Sequence, residues 1–147
     1  MAKQDPKVLS DTLNDLDRTL QGWRDLPHPV TFWNDSEEPH PDIVAARLRA
    51  KYYGARYVTT RPFLDYALHV MDRVANGERL ENVTVDAKGN SRPQEIALFK
   101  AIEMMPLETI QHKVRVCVDS AMKSTVALDG VNDHRLIVTN IMGTAHA

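Results

Sequence analysis

The sequence predicts an all-α fold: an irregular bundle of five to six helices around a central helix near residues 42–60, with a polar loop near 77–92. Apolar residues recur at spacings of three and four in several stretches, as one face of an α-helix requires. Prolines and Asn-Gly or Asp-Gly pairs separate these stretches. Only the segment near the C-terminus is rich enough in β-branched residues for a strand, and it has no second strand to pair with. With 147 residues, 43 % of them hydrophobic, residues 1–147 are expected to form a single domain.

Charge and composition argue against several classes of protein. The formal net charge of -2 argues against attachment to nucleic acid or anionic membrane through bulk charge. With Cys117 as its single cysteine, the chain should have neither a disulfide framework nor a cysteine-based zinc site. No apolar run approaches the ~20 residues of a membrane span, and the N-terminus lacks the apolar core of a signal peptide. We therefore expect a soluble intracellular domain with no cofactor.

The first helix is predicted from Lys7 to about Arg24. Asp5-Pro6 is a typical helix start, a capping residue followed by proline at the first helical position, and Ser10 is the alternative cap. The apolar stripe consists of Leu9, Leu13, Leu16, Leu20 and Trp23. Two heptads are too short for a stable dimeric coiled coil, so we expect this stripe to dock onto its own domain.

Four prolines indicate an extended loop over residues 26–41, with Phe32 and Trp33 as its expected anchors on the core. The loop also carries an acidic cluster with one histidine: Asp35, Glu37, Glu38, His40 and Asp42. Carboxylates of this kind could hold a divalent metal, but their spacing matches no calcium loop. A role at the start of the next helix is favoured, and no metal site is predicted.

The central helix shows two apolar stripes when wound at about 100° per residue. One consists of Ala45, Leu48, Tyr52 and Ala55, and the other of Ala46, Ala50, Tyr53 and Tyr57. A surface helix needs one apolar face, so two faces predict packing on both sides, with Tyr53 and Tyr57 mostly buried. Because Pro62 disfavours continuation, we expect either two helices in tandem or one kinked helix meeting at Arg61-Pro62, the second part ending near Asn76-Gly77.

The polar stretch 77–92 has two interpretations. A short hairpin could turn at Lys88-Gly89-Asn90, but a mobile insertion loop is favoured. Helix is predicted to resume at Pro93, with the apolar face Ile96, Phe99, Ala101, Ile102 and Met105. A further helix should run from about Leu107 to Ala127, with Ile110, Val114, Cys117, Val118, Ala121 and Val126 inward. The last segment, Arg135–Ala147, is also assigned as helix.

The sequence offers little that is typical of catalysis. None of the six histidines belongs to a HExxH-type pair, and the phosphate-binding and nucleophile-elbow motifs do not occur. Cys117 lies on an apolar face, where a cysteine usually acts as a small buried hydrophobe. We therefore assign no catalytic residue, no metal ligand and no DNA-binding residue, and we expect no enzymatic activity.

The central helix is also basic and rich in tyrosine, as a platform for nucleic acid would be. Its projection argues against that role, because the basic residues divide between two seams while the tyrosines lie on the apolar stripes. Arginines that border a buried helix more often cover apolar surface and pair with acids. The alternative is contact with an anionic effector or a protein partner, for which Arg56, Tyr57 and Arg61 are the candidate residues.

One family resemblance extends over most of the chain. LRAKYYGARYVTTRPFLDYAL, residues 48–68, resembles the signature LRARYYGARYxIxRPFLYxAL in the regulatory region of fungal zinc-cluster transcription factors. LQGWRDLPHPVTFW, residues 20–33, is similar to the helix and "LP" segment that precede it in the family. VCVDSAMKSTVALDG (116–130) and RLIVTNIMGTAHA (135–147) resemble the family's "C-x-x-A" helix and its "IVxNxxGTAHA" segment.

The resemblance implies an all-α regulatory domain of a nuclear transcription factor that receives metabolic or partner signals. The family's DNA-binding module needs six cysteines, whereas this chain has only Cys117, so zinc and DNA contacts transfer to no residue here. The stretch 77–92 has no counterpart, and the family's chains usually continue beyond "GTAHA". The chain accordingly looks like a fragment of a larger regulatory domain, a truncated product or a remnant paralogue.

Besides an enzyme, three functions are therefore considered for this chain. The first is a regulatory or interaction module that neither binds DNA itself nor catalyses a reaction. The second is a module that binds a small metabolite, motivated by the arginines and tyrosines along the central helix. The third is a non-functional truncation, in which an exposed apolar face would lead the chain to self-associate.

Overall fold

The computed structural model describes residues 5–26, 32–35, 38 and 40–129, and over these residues it contains six helices and no strand. The helices are α1 (Pro6–Arg24), α2 (Ile43–His69), α3 (Met71–Ala75), α4 (Leu80–Val83), α5 (Pro93–Glu103) and α6 (Leu107–Val126). The predicted all-α bundle is confirmed. The helix predicted at Arg135–Ala147 lies outside the described residues. Within the described part, no helix combines the length and the hydropathy that a membrane span requires.

The predicted start of α1 is confirmed. A side-chain oxygen of Asp5 accepts a hydrogen bond from the backbone N–H of Lys7 at 2.9 Å, and Pro6 occupies the first turn. Asp5 rather than Ser10 is therefore the cap. The leucine stripe docks onto the domain only in part, since Leu13 and Leu20 contact the core while Leu16 is 42 % exposed.

The central helix is longer than predicted, because α2 continues through Pro62 to His69 as one helix. Proline removes a backbone donor and crowds the preceding turn, which normally ends or bends a helix. Here Phe63 and Tyr66 follow the proline and are buried, so continuing the helix gains apolar burial. Of the two expected arrangements at Arg61-Pro62, the structure has the single helix rather than two in tandem.

Two groups of buried side chains lie along α2, one on each side of Pro62. The first, here named the aromatic cluster, consists of Trp33, Tyr52 and Tyr53. The second, here named the main core, consists of Phe63, Tyr66, Val70, Leu80, Phe99, Ile102 and Ile110. These clusters lie at different heights along α2, whereas the two predicted apolar stripes run along it. Both stripes contain buried residues, Ala45 and Tyr52 in one and Ala46 and Tyr53 in the other. Tyr57 is only half-buried, since the aromatic cluster ends one turn before it.

The aromatic cluster is built from tilted and edge-on rings. Ring centroids of Trp33 and Tyr52 lie 5.7 Å apart, and those of Tyr52 and Tyr53 lie 5.0 Å apart at 73°. Trp23 stacks on Tyr52 from α1 at 6.2 Å. The prediction that Trp33 anchors the loop is confirmed at 1 % exposure, but Phe32 is 53 % exposed. Adjacent residues of an extended segment point to opposite sides, so one side chain faces the core and the other faces away.

Asp35 has two structural partners within the fold. Its carboxylate accepts a hydrogen bond from the Tyr53 hydroxyl and pairs with Arg24 at 2.7 Å. Burial tends to raise the pKa of Asp35, but the hydrogen bond from Tyr53 and the charges of Arg24 and Lys123 outweigh it and hold that pKa below its ordinary value. Asp42 caps α2, accepting from the N–H groups of its second and third residues. Among the described residues, no group of three His, Cys, Asp or Glu side chains could hold a metal ion.

The broadest helix contact in the described part is that of α6 with α2. Its inner face carries Ile110, Lys113, Cys117 and Ser120, spaced by three or four residues. The prediction that Val118 and Val126 point inward is wrong, because both lie more than 40 % exposed on the opposite side. The inner face instead includes a lysine and a serine that a purely apolar pattern does not indicate.

Lys113 is buried because α1 supplies a counter-ion. Its ammonium group lies 2.7 Å from a carboxylate oxygen of Asp17, and the second oxygen of Asp17 lies 3.9 Å from the Nε of Arg56. One carboxylate therefore links α1 to both α6 and α2. A buried ammonium requires such a partner, since taking an isolated charge out of water is costly.

The polar segment 77–92 contains regular structure, which the favoured prediction of a mobile insertion loop did not include. It contains α4, whose Leu80 is buried in the main core, and an isolated antiparallel bridge between Val85 and Ser91. The Asp86 carboxylate accepts backbone N–H bonds from Lys88 and Asn90, both at 2.8 Å, which fixes the turn. The alternative prediction of a short hairpin is closer to this arrangement.

We expect Tyr53→Asp to abolish cooperative folding, because it puts a second carboxylate beside Asp35 in a buried position. Tyr53→Phe is the matched control, since it keeps the ring and loses only the hydrogen bond, at a cost of about 1.5 kcal/mol. Urea denaturation followed by circular dichroism would measure both. A transition of Tyr53→Asp at the wild-type midpoint would contradict the role given to this residue.

Candidate functional site

A cleft of about 490 Å³ lies between the second half of α2, the segment that follows α4, and α5. This volume falls within the range of about 300–1,000 Å³ that is typical of ligand pockets. The cleft exists because Leu80 fixes α4 against the main core, which brings the bridge of Val85 and Ser91 over the side of α2. Three separate segments of the chain thus form its walls.

The α2 wall carries a row of polar side chains at intervals of four residues: Arg61, Asp65 and His69. This spacing puts all three on one face of the helix. The Nε of Arg61 lies 3.6 Å from a carboxylate oxygen of Asp65, and both side chains are roughly half exposed. The wall therefore presents one cation and one anion that face both each other and the cleft.

The opposite wall belongs to the start of α5. Arg92 precedes the helix and Glu95 lies in its first turn, with the guanidinium and carboxylate 2.8 Å apart. The backbone N–H of Arg92 donates to the carbonyl of Thr84 at 3.3 Å, which ties this wall to the segment after α4. A second ion pair is thereby held across the cleft from the first.

Between the charged walls the cleft has an apolar floor. Val70 and Phe99 are buried members of the main core, and Val83 packs against that core. The same side chains thus support the fold and present part of their surface to the cleft. Charged groups around an apolar floor are the usual composition of a small-molecule site.

Thr84 is an unusual residue of this cleft. Its side chain is 4 % exposed, and within the described part of the chain its hydroxyl has no hydrogen-bond partner. Most buried hydroxyls in native proteins are paired, because an unpaired one loses its bonds to water without replacement. A group of this kind next to a cleft is a donor that a ligand can use.

The structure does not bring together the three predicted contact residues. Arg61 lines the cleft. Arg56 instead lies beside α1, 3.9 Å from Asp17 and with its guanidinium 5.8 Å from the ring centroid of Tyr52. The backbone carbonyl of Tyr57 accepts a weak hydrogen bond from the thiol of Cys117. Effector contact by Arg56 and Tyr57 stays a prediction.

Sequence reasoning missed most of the cleft. The spacing of Asp65 and His69 after Arg61 is visible in the sequence and could have indicated the α2 wall. Thr84, Arg92 and Glu95 gave no such signal. They reach the cleft only because the chain reverses after α4, which depends on tertiary packing.

Comparisons with models of protein families, with curated proteins and with solved structures give no match for this chain. The similarity to fungal zinc-cluster transcription factors therefore rests on the sequence motifs alone. A function shared with those factors is accordingly a proposal.

We expect Thr84→Val to raise the free energy of unfolding by about 1 kcal/mol, because it replaces an unpaired buried hydroxyl with a methyl group of similar size. Thr60→Val is the matched control, since the Thr60 hydroxyl is also buried but donates to the carbonyl of Arg56 at 2.6 Å. That variant should be destabilised. Urea denaturation measures both, and equal destabilisation of the two would show that the Thr84 hydroxyl is satisfied.

Proposed function

We propose that this chain is a regulatory domain, related to the effector-responsive region of fungal zinc-cluster transcription factors, that binds a small-molecule effector in the cleft. The observation that carries the proposal is the position of the cleft. Its α2 wall includes Arg61 and Asp65, which lie within the segment 48–68 that resembles the family signature. In this proposal the domain works in the nucleus and passes the bound signal to a protein partner.

The distribution of basic residues on α2 supports a role without direct DNA binding. Arg49 is buried, Arg56 lies near Asp17 on α1, and Arg61 pairs with Asp65. A helix that reads nucleic acid gathers its basic residues on one exposed face. Here the arginines point towards different parts of the domain and already have carboxylates or backbone carbonyls nearby.

The environment of Cys117 supports a role without catalysis. The thiol is fully buried between α6 and α2, and burial raises its pKa. Since the thiolate is the reactive form, a raised pKa and a lack of exposure both work against a nucleophilic function. This is the setting of a structural cysteine.

To test the proposal, the purified chain would be screened against a broad metabolite library by thermal shift, and hits would be measured by isothermal titration calorimetry. We expect a ligand that raises the unfolding midpoint and that binds at least tenfold more weakly to Arg61→Gln or to Arg92→Gln, because both arginines line the cleft. The matched control is Arg73→Gln, which removes an equally exposed arginine paired with Glu78 at 2.6 Å outside the cleft. Tenfold corresponds to about 1.4 kcal/mol of binding free energy.

Two outcomes would contradict the proposal. One is a ligand whose affinity is the same in wild type, Arg61→Gln and Arg92→Gln, because the cleft would then not be its site. The other is a mobility-shift assay in which this chain alone binds a specific DNA sequence in a zinc-dependent manner.

Self-association is a second candidate role, favoured by an exposed apolar stripe on α6. Val118, Met122 and Val126 recur every four residues and are 46 %, 65 % and 43 % exposed. The stripe extends over about 12 Å of helix. Because one stripe of this kind is complementary to its own copy across a two-fold axis, the partner we consider is a second copy of this chain.

Multi-angle light scattering would test this role. We expect a concentration-dependent dimer in wild type that Met122→Lys reduces to a monomer, since it puts a charge at the centre of the stripe. Met104→Lys changes an equally exposed methionine at the end of α5 and should leave the mass unchanged. A wild-type monomer at all concentrations would exclude the dimer.

A further inference from the structure

The charges around the cleft balance in pairs, and this balance restricts the kind of ligand that fits. Arg61 with Asp65 contributes one cation and one anion on the α2 wall, and Arg92 with Glu95 contributes the same on the α5 wall. The four groups therefore sum to zero. Each wall offers a site for a carboxylate and, within a few ångströms, a site for an ammonium group.

These pairs can exchange partners easily. All four side chains are between 42 % and 61 % exposed, and ion pairs at such positions contribute little to stability because water screens them. A ligand can therefore take one partner from a pair without a large penalty. The ligand must not leave the other partner of the pair without a counter-ion where it excludes water from the cleft.

That requirement separates the classes of ligand. An anion that binds an arginine displaces a carboxylate and lies close to it, which is repulsive, and a cation that binds an acid repels the arginine in the same way. An uncharged apolar molecule gains nothing from the walls. A molecule with both charges pairs with an arginine and an acid together, so that no charged group loses its counter-ion.

Resting on the proposed function, we propose that the cleft binds a free α-amino acid with an apolar side chain. The α-carboxylate pairs with Arg92, the α-ammonium group pairs with Glu95, and the side chain lies on the floor formed by Val70 and Phe99. The charged ends give orientation, and the floor gives selectivity for apolar side chains.

Thr84 contributes a donor to the carboxylate end. Its carbonyl accepts from the backbone N–H of Arg92, so the Thr84 segment is tied to the backbone of the residue that carries the guanidinium. A rotation of about 120° around χ1 puts the hydroxyl where the methyl group stands, while the methyl group moves to the position of the β hydrogen, so the donor can change its direction within the same site. Binding would then satisfy the hydroxyl that has no partner in the described part of the free chain.

Isothermal titration calorimetry with four related probes tests the charge requirement. L-leucine carries both charges, L-leucinamide lacks the carboxylate, 4-methylpentanoate lacks the ammonium group, and glycine lacks the side chain. We expect L-leucine to bind at least tenfold more tightly than each of the other three. L-phenylalanine is a second probe with both charges and an apolar side chain.

Substitutions in the cleft should change the affinities for two probes in opposite directions, which general destabilisation of the fold would not do. Glu95→Gln should weaken L-leucine binding about tenfold but strengthen 4-methylpentanoate binding, because it leaves Arg92 without its competing carboxylate. Thr84→Val, expected to fold more stably than wild type, should weaken L-leucine binding about threefold. Arg73→Gln should change neither affinity.

The results also separate this inference from the proposed function. If 4-methylpentanoate binds wild type as tightly as L-leucine does, the requirement for both charges is overturned. If neither L-leucine nor L-phenylalanine binds, the inference is likewise overturned, while the proposed function survives provided that a different metabolite binds and depends on Arg61 or Arg92. If no metabolite binds, both are overturned.

Discussion

The passage of α2 through Pro62 as one helix is the constraint on which this bundle depends. The aromatic cluster lies before the proline and the main core lies after it, so a break there would detach one from the other. The surrounding turn is supported by side chains. The Thr60 hydroxyl donates to the carbonyl of Arg56, and the thiol of Cys117 lies 3.9 Å from the carbonyl of Tyr57. Because the helix is continuous, Arg61 and Asp65 lie about one turn apart on the same face. This placement puts both residues on the α2 wall of the cleft.

Sequence reasoning succeeded where the determinants are local. The cap at Asp5 and the two apolar faces of α2 follow from residue type and spacing, and the structure has both. It could not decide between one helix and two at Pro62, because the local penalty of proline is visible in the sequence whereas the burial of Phe63 and Tyr66 that offsets it arises only in the packed fold. The inward assignment of Val118 failed for a related reason, since a helix with apolar residues on several sides does not reveal which side meets its neighbour.

The cleft shows the same division between local and long-range information. Arg61 could be singled out because it lies in a basic helix and in a recognisable motif. Arg92 and Thr84 come from a polar stretch in which no binding motif was identified. They line the cleft because Leu80 packs into the main core and Asp86 fixes the turn that follows. A binding site made by chain reversal cannot be derived from helical periodicity, because its geometry depends on contacts far apart in the sequence.

The carboxylate of Asp17 also constrains how this chain can vary. It serves the buried ammonium of Lys113 and lies close to the guanidinium of Arg56, so three helices share one negative charge. Loss of that charge alone would leave a buried cation uncompensated, whereas replacing Asp17 and Lys113 together by apolar residues could preserve the packing. Among related chains, we therefore expect Asp17 and Lys113 to be substituted together. Sequences in which only one of the two is substituted should be rare.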